Sequence, residues 1–291
     1  MFSVTTHRLH LPSIGRNDKL IGMNTNSTKV WLLIVVSSIA HLFIGYWLGQ
    51  RVGLLLGFFA ALFFNLIVFL YGESRLLSFF KAEPLKGQDA WGLNDLNQKF
   101  CQQLQMTPPK IFVAESELAT LFSVSHNWGR HSICLTSELL KSFNLLEVHI
   151  LFIHQLCHIQ RIDTFAMSIG STIANSIVGL GEMIDQITLR RPLFSRLLSP
   201  LGWIIVKIFT PRKLFFENDV LSSTHIDDVR QLGDLLWKLH SRSLNHPIKV
   251  PPCTNHLFVV NPEGDFGQKS FRNLHPKINE RLHQLLGYFP L

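Results

Sequence analysis

Residues Val30–Gln50 read VWLLIVVSSIAHLFIGYWLGQ and residues Val52–Gly72 read VGLLLGFFAALFFNLIVFLYG; neither run contains Asp, Glu, Lys or Arg, and only Arg51 separates them. A helix that crosses a bilayer needs about 20 such residues, so each run is long enough to span. A cleaved signal peptide fits poorly, since its apolar region is roughly 7–15 residues long and ends at a small-residue cleavage site. The pair reads as a transmembrane helical hairpin over residues 30–72. Flanking charge sets its orientation. Arg8, Arg16, Lys19 and Lys29 precede the first run, and Arg75, Lys81 and Lys86 follow the second. Both outer flanks are expected in the cytoplasm, with a short turn outside.

Outward from the hairpin, the composition agrees. Of the 291 residues, 47% are hydrophobic and 16% charged, and 23 are Phe; soluble domains carry about 25% charged residues. Mean hydropathy is +0.21. So apolar a chain is not disordered, and four cysteines exclude a disulfide-dense secreted scaffold. Cys101, Cys134, Cys157 and Cys253 suit a reducing compartment as free thiols. The net charge of +7 is most simply met by anionic lipid beside the basic flanks. With no basic run interleaved with aromatics, nucleic acid is not an expected partner.

The basic segment 1–29 and the hairpin precede a folded domain over residues 73–291. Ala90–Gln105 places Leu93, Leu96, Phe100 and Leu104 at helical spacing. Pro108-Pro109 stops that helix, and Lys110–Ala114 reads as a strand. Phe122–Val124 and Ser132–Leu135 read as strands around Asn127-Trp128-Gly129. Ser137–Phe143 and the largely apolar Leu145–Arg161 read as helices. Residues 164–184 and 197–210 are further apolar stretches, the first rich in the small residues that let membrane helices approach closely. Two to four spans are therefore expected, with an α+β, mainly helical domain. Pro251-Pro252 and Asn261–Asp265 mark a long loop, expected to be the most mobile part of the chain.

The chemistry concentrates in His154-Gln155-Leu156-Cys157-His158. Histidines at i and i+4 share a helix face and can converge on one metal ion. In HExxH metallopeptidases the Glu takes a proton from zinc-bound water. Gln155 stands in that place, and a primary amide can hold water but not deprotonate it.

Several ordered segments resemble the HtpX-type membrane zinc metallopeptidases, which are related to the CAAX-prenyl endopeptidases. Ala119–Val124 (ATLFSV) resembles that family's NAFATG edge strand, and Thr136–Leu140 (TSELL) its TGLL helix start. His154–Thr164 (HQLCHIQRIDT) resembles HELSHIxNRDT, and Asn273–Leu282 (NLHPKINERL) resembles THPPxxERI. The resemblance covers essentially the whole chain. It implies a zincin-like domain facing the cytoplasm, a multi-pass place in the cell inner (plasma) membrane, and zinc as cofactor. It further implies substrate binding along Ala119, Thr120, Leu121, Phe122 and Ser123, by addition of a strand.

Departures from the family pattern fall on the reacting groups. The third zinc ligand is the Glu of a segment like SRxREYxAD. Pro211–Asp219 (PRKLFFEND) aligns with it so that Phe215 takes that position. Glu217 lies about 200° around a helix from Phe215. Losing the base alone costs ~10²–10⁴-fold in rate. His154 and His158 remain as metal candidates, with Cys157 and Glu217 as substitute ligands. Asp163 is expected to support the site rather than ligate. His126 and His131 are expected to be solvated, His225 to cap or face solvent, and His275 to be hydrogen-bonded.

Two readings follow. One is a proteolytically degenerate relative acting by binding membrane-protein segments, or by regulating an active peptidase partner, in membrane-protein quality control. The other is an active zinc endopeptidase with a rearranged site.

Overall fold

A computed structural model describes residues 16–71, 74–86, 89–127, 129–188, 192–264 and 274–287. Arg8, Trp128 and the start of the basic segment lie outside them. Helix α1 runs Arg16–Tyr71 but is broken at Gly49 and Gln50, where φ/ψ are −150°/22° and 48°/−124°. Its apolar stretch Thr28–Leu66 has 39 residues, and an 18-residue run within it has a mean hydropathy of 1.9 and no buried residue. Unbroken, that stretch would measure about 58 Å at 1.5 Å per residue, near twice the hydrocarbon thickness of ~30 Å. The break folds it into two antiparallel arms instead. Asn65 Nδ2 donates to Ser38 Oγ across them at 2.9 Å. At the tip Gly45 faces Gly53 so closely that a Cβ on either would overlap the other's carbonyl oxygen. Small residues thus let two arms pack that otherwise present bulky apolar side chains outward.

The described part of the folded domain begins with α2 (Ser74–Phe79) and the two-residue strand β1 (Glu83–Pro84). Helix α3 (Leu93–Gln103) starts later than the periodicity suggests, because Gly92 takes a left-handed φ of 62° and fixes the entry. Strands β2 (Lys110–Ala114), β3 (Leu121–Asn127) and β4 (Arg130–Thr136) complete a mixed sheet of order β1-β2-β4-β3. β2 runs parallel to β4, and β3 antiparallel to it.

Two short helices lead to the site. Thr136 caps α4 (Ser137–Ser142) through the Leu139 N–H. Asn144 and Glu147 form a reciprocal capping box on α5 (Leu145–Gln160). Ile162, left-handed at φ 64°, breaks the chain between α5 and α6 (Asp163–Thr188). The turn brings Asp163 back beside the end of α5.

Helix α6 pairs with α7 (Phe194–Phe209), whose Gly202 lies against Ala174 and Val178. The buried side of α6 packs on both arms of α1 through Val30, Phe165, Ile169, Ile173 and Phe209, with Phe64 alongside. On α7 the outer face carries exposed Leu193, Leu197, Leu201, Ile204 and Ile208. Helices α8 (Lys213–Ser223), α9 (Val229–Asn245) and α10 (Ile278–Leu286) close the domain around α5.

The loop expected to be most mobile is instead largely buried from Cys253 to Val260, with Asn255–Leu257 in a 3-10 turn. It is pinned by side chains of α6 and α10. Residues 265–273 of that loop lie outside the described residues.

Candidate functional site

Helix α5 is buried along almost its whole length, so its polar side chains must find partners inside the protein. The rings of His154 and His158 lie 5.4 Å apart at 77°. His154 is fully buried, and burial lowers its pKa to about 4 despite the opposing pull of Asp219, leaving the ring neutral at pH 7. Its Nε2 lies 2.9 Å from Asp219 Oδ1. A carboxylate only accepts, so Nε2 carries the hydrogen and donates it. Asn218 Nδ2 then donates to the His154 carbonyl, 3.1 Å away. The remaining His154 Nδ1 is buried without a hydrogen-bond partner, as is His158 Nδ1.

Asp219 is the hub. Arg281 Nη2 and Nε grip its two oxygens at 2.6 and 2.7 Å, and Nη1 donates to the Val259 carbonyl at 2.6 Å. Burial works against the charge on Asp219, but the guanidinium and His154 hold its pKa down to about 2. One buried carboxylate thus joins α5, α8, α10 and the segment before α10.

One turn earlier on α8, Phe215 is 1% exposed. Its ring lies 4.7 Å from the His275 ring and 6.3 Å from that of His158, with the Arg281 guanidinium 5.7 Å off its centroid. An aromatic ring therefore lies beside the histidines and offers no lone pair to a metal ion there. Glu217 points away from them, bound by Arg161 and by Lys213, the latter at 2.7 Å. Burial alone would raise its pKa, and these two partners bring it below the usual carboxylate range. Cys157 turns into the domain core, and burial pushes its thiol up to about 12, far from a ligating thiolate. Gln155 is buried, with Oε1 unpartnered. Asp163 pairs with Arg161 Nε at 3.0 Å and stands 3.8 Å from His158 Nδ1.

Among the described residues no group of three His, Cys, Asp or Glu side chains can hold a metal ion. Zinc takes three or four protein donors. His154 and His158 have suitable chemistry, but Nε2 of the first is committed to Asp219, and Phe215 beside them offers no donor atom. The residues present do not fit the zinc site that the family resemblance implies.

Two more histidines, His256 and His275, lie buried near the pair. His256 passes unnoticed in the sequence, where it immediately precedes the apolar run Leu257–Val260 of the expected loop. Its Nε2 donates to the Met167 carbonyl at 3.3 Å, and His275 Nε2 donates to the Asn255 carbonyl at 2.9 Å. Burial lowers them to about 4 and about 3. His225 corrects the surface expectation, being 4% exposed and packed edge-on against Phe100. His131 is half-buried and bonded to Ser125 Oγ at 2.6 Å rather than solvated.

The segment marked for strand addition, Ala119–Ser123, is wholly buried. Strand β3 is at the sheet edge, but Phe122 bridges Phe258 there and the Leu121 carbonyl accepts from Val259 N–H. Farther along, the Ser125 N–H donates to Ser168 Oγ. The rim is occupied by the chain itself.

No family model matches the chain. It is 25% identical over 275 residues to a protein named Protease HtpX homolog from Pelotomaculum thermopropionicum, covering 89% of this chain and 98% of that one. Proteins of the same name from Desulfatibacillum aliphaticivorans and Pyrococcus abyssi are 21% and 23% identical, over 91% and 83% of this chain and 90% and 89% of theirs. Among solved structures, S. mikatae Ste24p superposes with a TM-score of 0.51 at 17% identity, over 93% of this chain and 67% of that one, which shows a shared fold.

Proposed function

This chain is a divergent relative of the HtpX-type proteases along some 89% of its length, and from that kinship we propose that it is a membrane-anchored, proteolytically degenerate member of the lineage. In this reading it keeps the scaffold and acts by binding membrane-protein segments, or an active peptidase, in membrane-protein quality control. Both arms of α1 cross the inner (plasma) membrane, and α6–α7 inserts beside them with the apolar stripe Leu193, Leu197, Leu201, Ile204, Ile208 toward lipid. The flanking Lys and Arg residues keep the folded domain on the cytoplasmic side.

One observation carries the reading. Gln155 and Phe215 replace the base and the third ligand together, and Phe215 is packed into the site rather than turned out of it. Drift at positions without a role would not single out that pair. An active enzyme with a rearranged site remains the competing reading, since both histidines are kept. It would need Cys157 or Glu217 to swing toward them.

Metal content of the detergent-purified chain decides between the two. The native protein is expected to carry no stoichiometric zinc after incubation with excess metal. The Gln155→Glu, Phe215→Glu double variant is expected to bind about one per chain, lost again with His154→Ala and His158→Ala. One zinc on the native chain, removed by the same two histidine substitutions, would overturn the degenerate reading.

A further inference from the structure

Between Val30 and Leu66, apart from the tip at Gln50-Arg51, two side chains carry an imidazole or an amide: His41 and Asn65. His41 lies toward α6. Its Nδ1 donates to the Ser37 carbonyl at 2.8 Å, and its ring is 5.1 Å from that of Phe64, which packs on the cluster around Phe165 and Ile169. Asn65 is only half satisfied by the chain. One amide hydrogen goes to Ser38 Oγ, whose own hydrogen goes to the Ile34 carbonyl at 2.8 Å. The second amide hydrogen and Oδ1 meet nothing else among the described residues. Leu62 and Phe58 share the flank of Asn65, three and seven residues earlier on the arm. They are 58% and 52% exposed, so no other described element covers that flank.

Asn65 stands about 20 Å along its arm from Val52, within a hydrocarbon layer about 30 Å thick. Lipid tails offer neither donor nor acceptor to the free half of the amide. A primary amide has both and is its own complement. Two copies in the same orientation are related by a two-fold axis along the membrane normal, which sets their Asn65 side chains at equal depth. We propose that the chain dimerises through the Asn65 flank of α1. The free N–H of each amide donates to Oδ1 of the other copy, and Leu62 and Phe58 pack around the pair. Ser38 engages the amide by its other hydrogen, so the pairing leaves the hairpin intact. This inference goes beyond the binding role proposed above and rests only on both arms crossing the membrane.

The test reads energy transfer between donor- and acceptor-labelled copies of the full chain in phosphatidylethanolamine/phosphatidylglycerol vesicles, over a series of dilutions in lipid. The native chain is expected to dimerise, and Asn65→Leu to weaken association about tenfold, as for loss of an interhelical polar pair in a membrane. Ser38→Ala, which breaks the bond inside the hairpin but leaves the amide, should keep the dimer. Leu62→Cys should give an oxidant-driven covalent dimer over a low background, since all four native cysteines are buried. Phe63→Cys, about 200° around the arm from Asn65, should not. These two cysteine variants carry the test alone if Asn65→Leu does not fold. A native chain that stays monomeric at every dilution would overturn the proposal. So would association unmoved by Asn65→Leu, or crosslinking at residue 63 in place of 62. Alkaline carbonate extraction distinguishes the two failures. A chain stripped from the vesicles would sink the crossing arms and the dimer with them, whereas an integral chain that never pairs would sink the dimer alone.

Discussion

Two side chains one turn apart on α8 have met opposite fates. Phe215 and Asp219 are both buried and both face α5, and Arg281 touches each of them. Phe215 brings no donor or acceptor to the histidines. Asp219 has bonds to His154 and a two-point grip from Arg281. A position that makes no polar contact can be filled by an apolar ring, because burying the ring is itself favourable. A position that neutralises a buried guanidinium cannot, because Arg281, at 1% exposure, would keep its charge in a dry interior.

The sharpest way to break that contrast is Asp219→Ala. Removing one partner of a buried pair costs about 3–5 kcal/mol, so the variant should unfold well below the native temperature or fail to accumulate. Asp219→Leu together with Arg281→Met should recover most of that loss, since it removes the charge pair whole. Thermal unfolding in one detergent compares the three. An Asp219→Ala protein as stable as the native one would mean the junction is not a structural tie.

Next in size is Phe215→Ala, for which truncation of a buried Phe costs about 3–5 kcal/mol. The value should fall toward the low end, because polar His158 and His275 beside the ring can accept water in the cavity. Phe215→Leu should restore most of it, whereas no apolar residue replaces Asp219 while Arg281 stays. If Phe215→Leu unfolded as readily as Asp219→Ala, the two turns would not differ as argued.

Acid separates the two turns by another route. His256 and His275 are held neutral by burial, at about 4 and about 3, against ~6.5 in an unfolded chain. Below pH 6.5 the unfolded state binds the extra protons, so stability is lost as pH falls toward the folded values. Each histidine should cost about 2 kcal/mol by pH 5. Asp219, depressed to about 2, keeps its contribution until the pH falls below the ordinary carboxylate range. Loss between pH 6.5 and 4.5 is therefore assigned to the buried histidines, His154 included, and His256→Gln with His275→Asn should make it shallower without abolishing it. An unchanged slope in that variant would place the acid sensitivity elsewhere.

Much of the framework was legible because it is written in local pattern. The two charge-free runs announce a hairpin, and Lys110–Ala114 is a strand by composition and by its Pro-Pro boundary. Asp219 and Arg281 lie in segments that resemble the family pattern, but nothing in the sequence shows that they grip each other 62 residues apart. The segment 253–260 was misread for a physical reason: its order comes from side chains of α6 and α10 bonding its carbonyls, and turn residues carry no trace of such partners. The apolar run Leu257–Val260 was the available signal. His225 and His256 went the same way, since a lone histidine does not disclose whether its neighbours in space are apolar.

Glu217 gives the smallest effect and bears most directly on the competing reading. It lies two residues from each of the contrasted positions, on the other side of α8, with 31% of its side chain exposed and both oxygens engaged by Arg161 and Lys213. Partly solvated pairs of this kind contribute about 0.2–1 kcal/mol, so Glu217→Gln should barely move the unfolding temperature. It should also leave the zinc content of the Gln155→Glu, Phe215→Glu variant unchanged, because its carboxylate points away from the histidines. If Glu217→Gln stripped zinc from that variant, or from the native chain, α8 would have to rotate by about 200° between two states. The contrast between Phe215 and Asp219 would then describe only one of them.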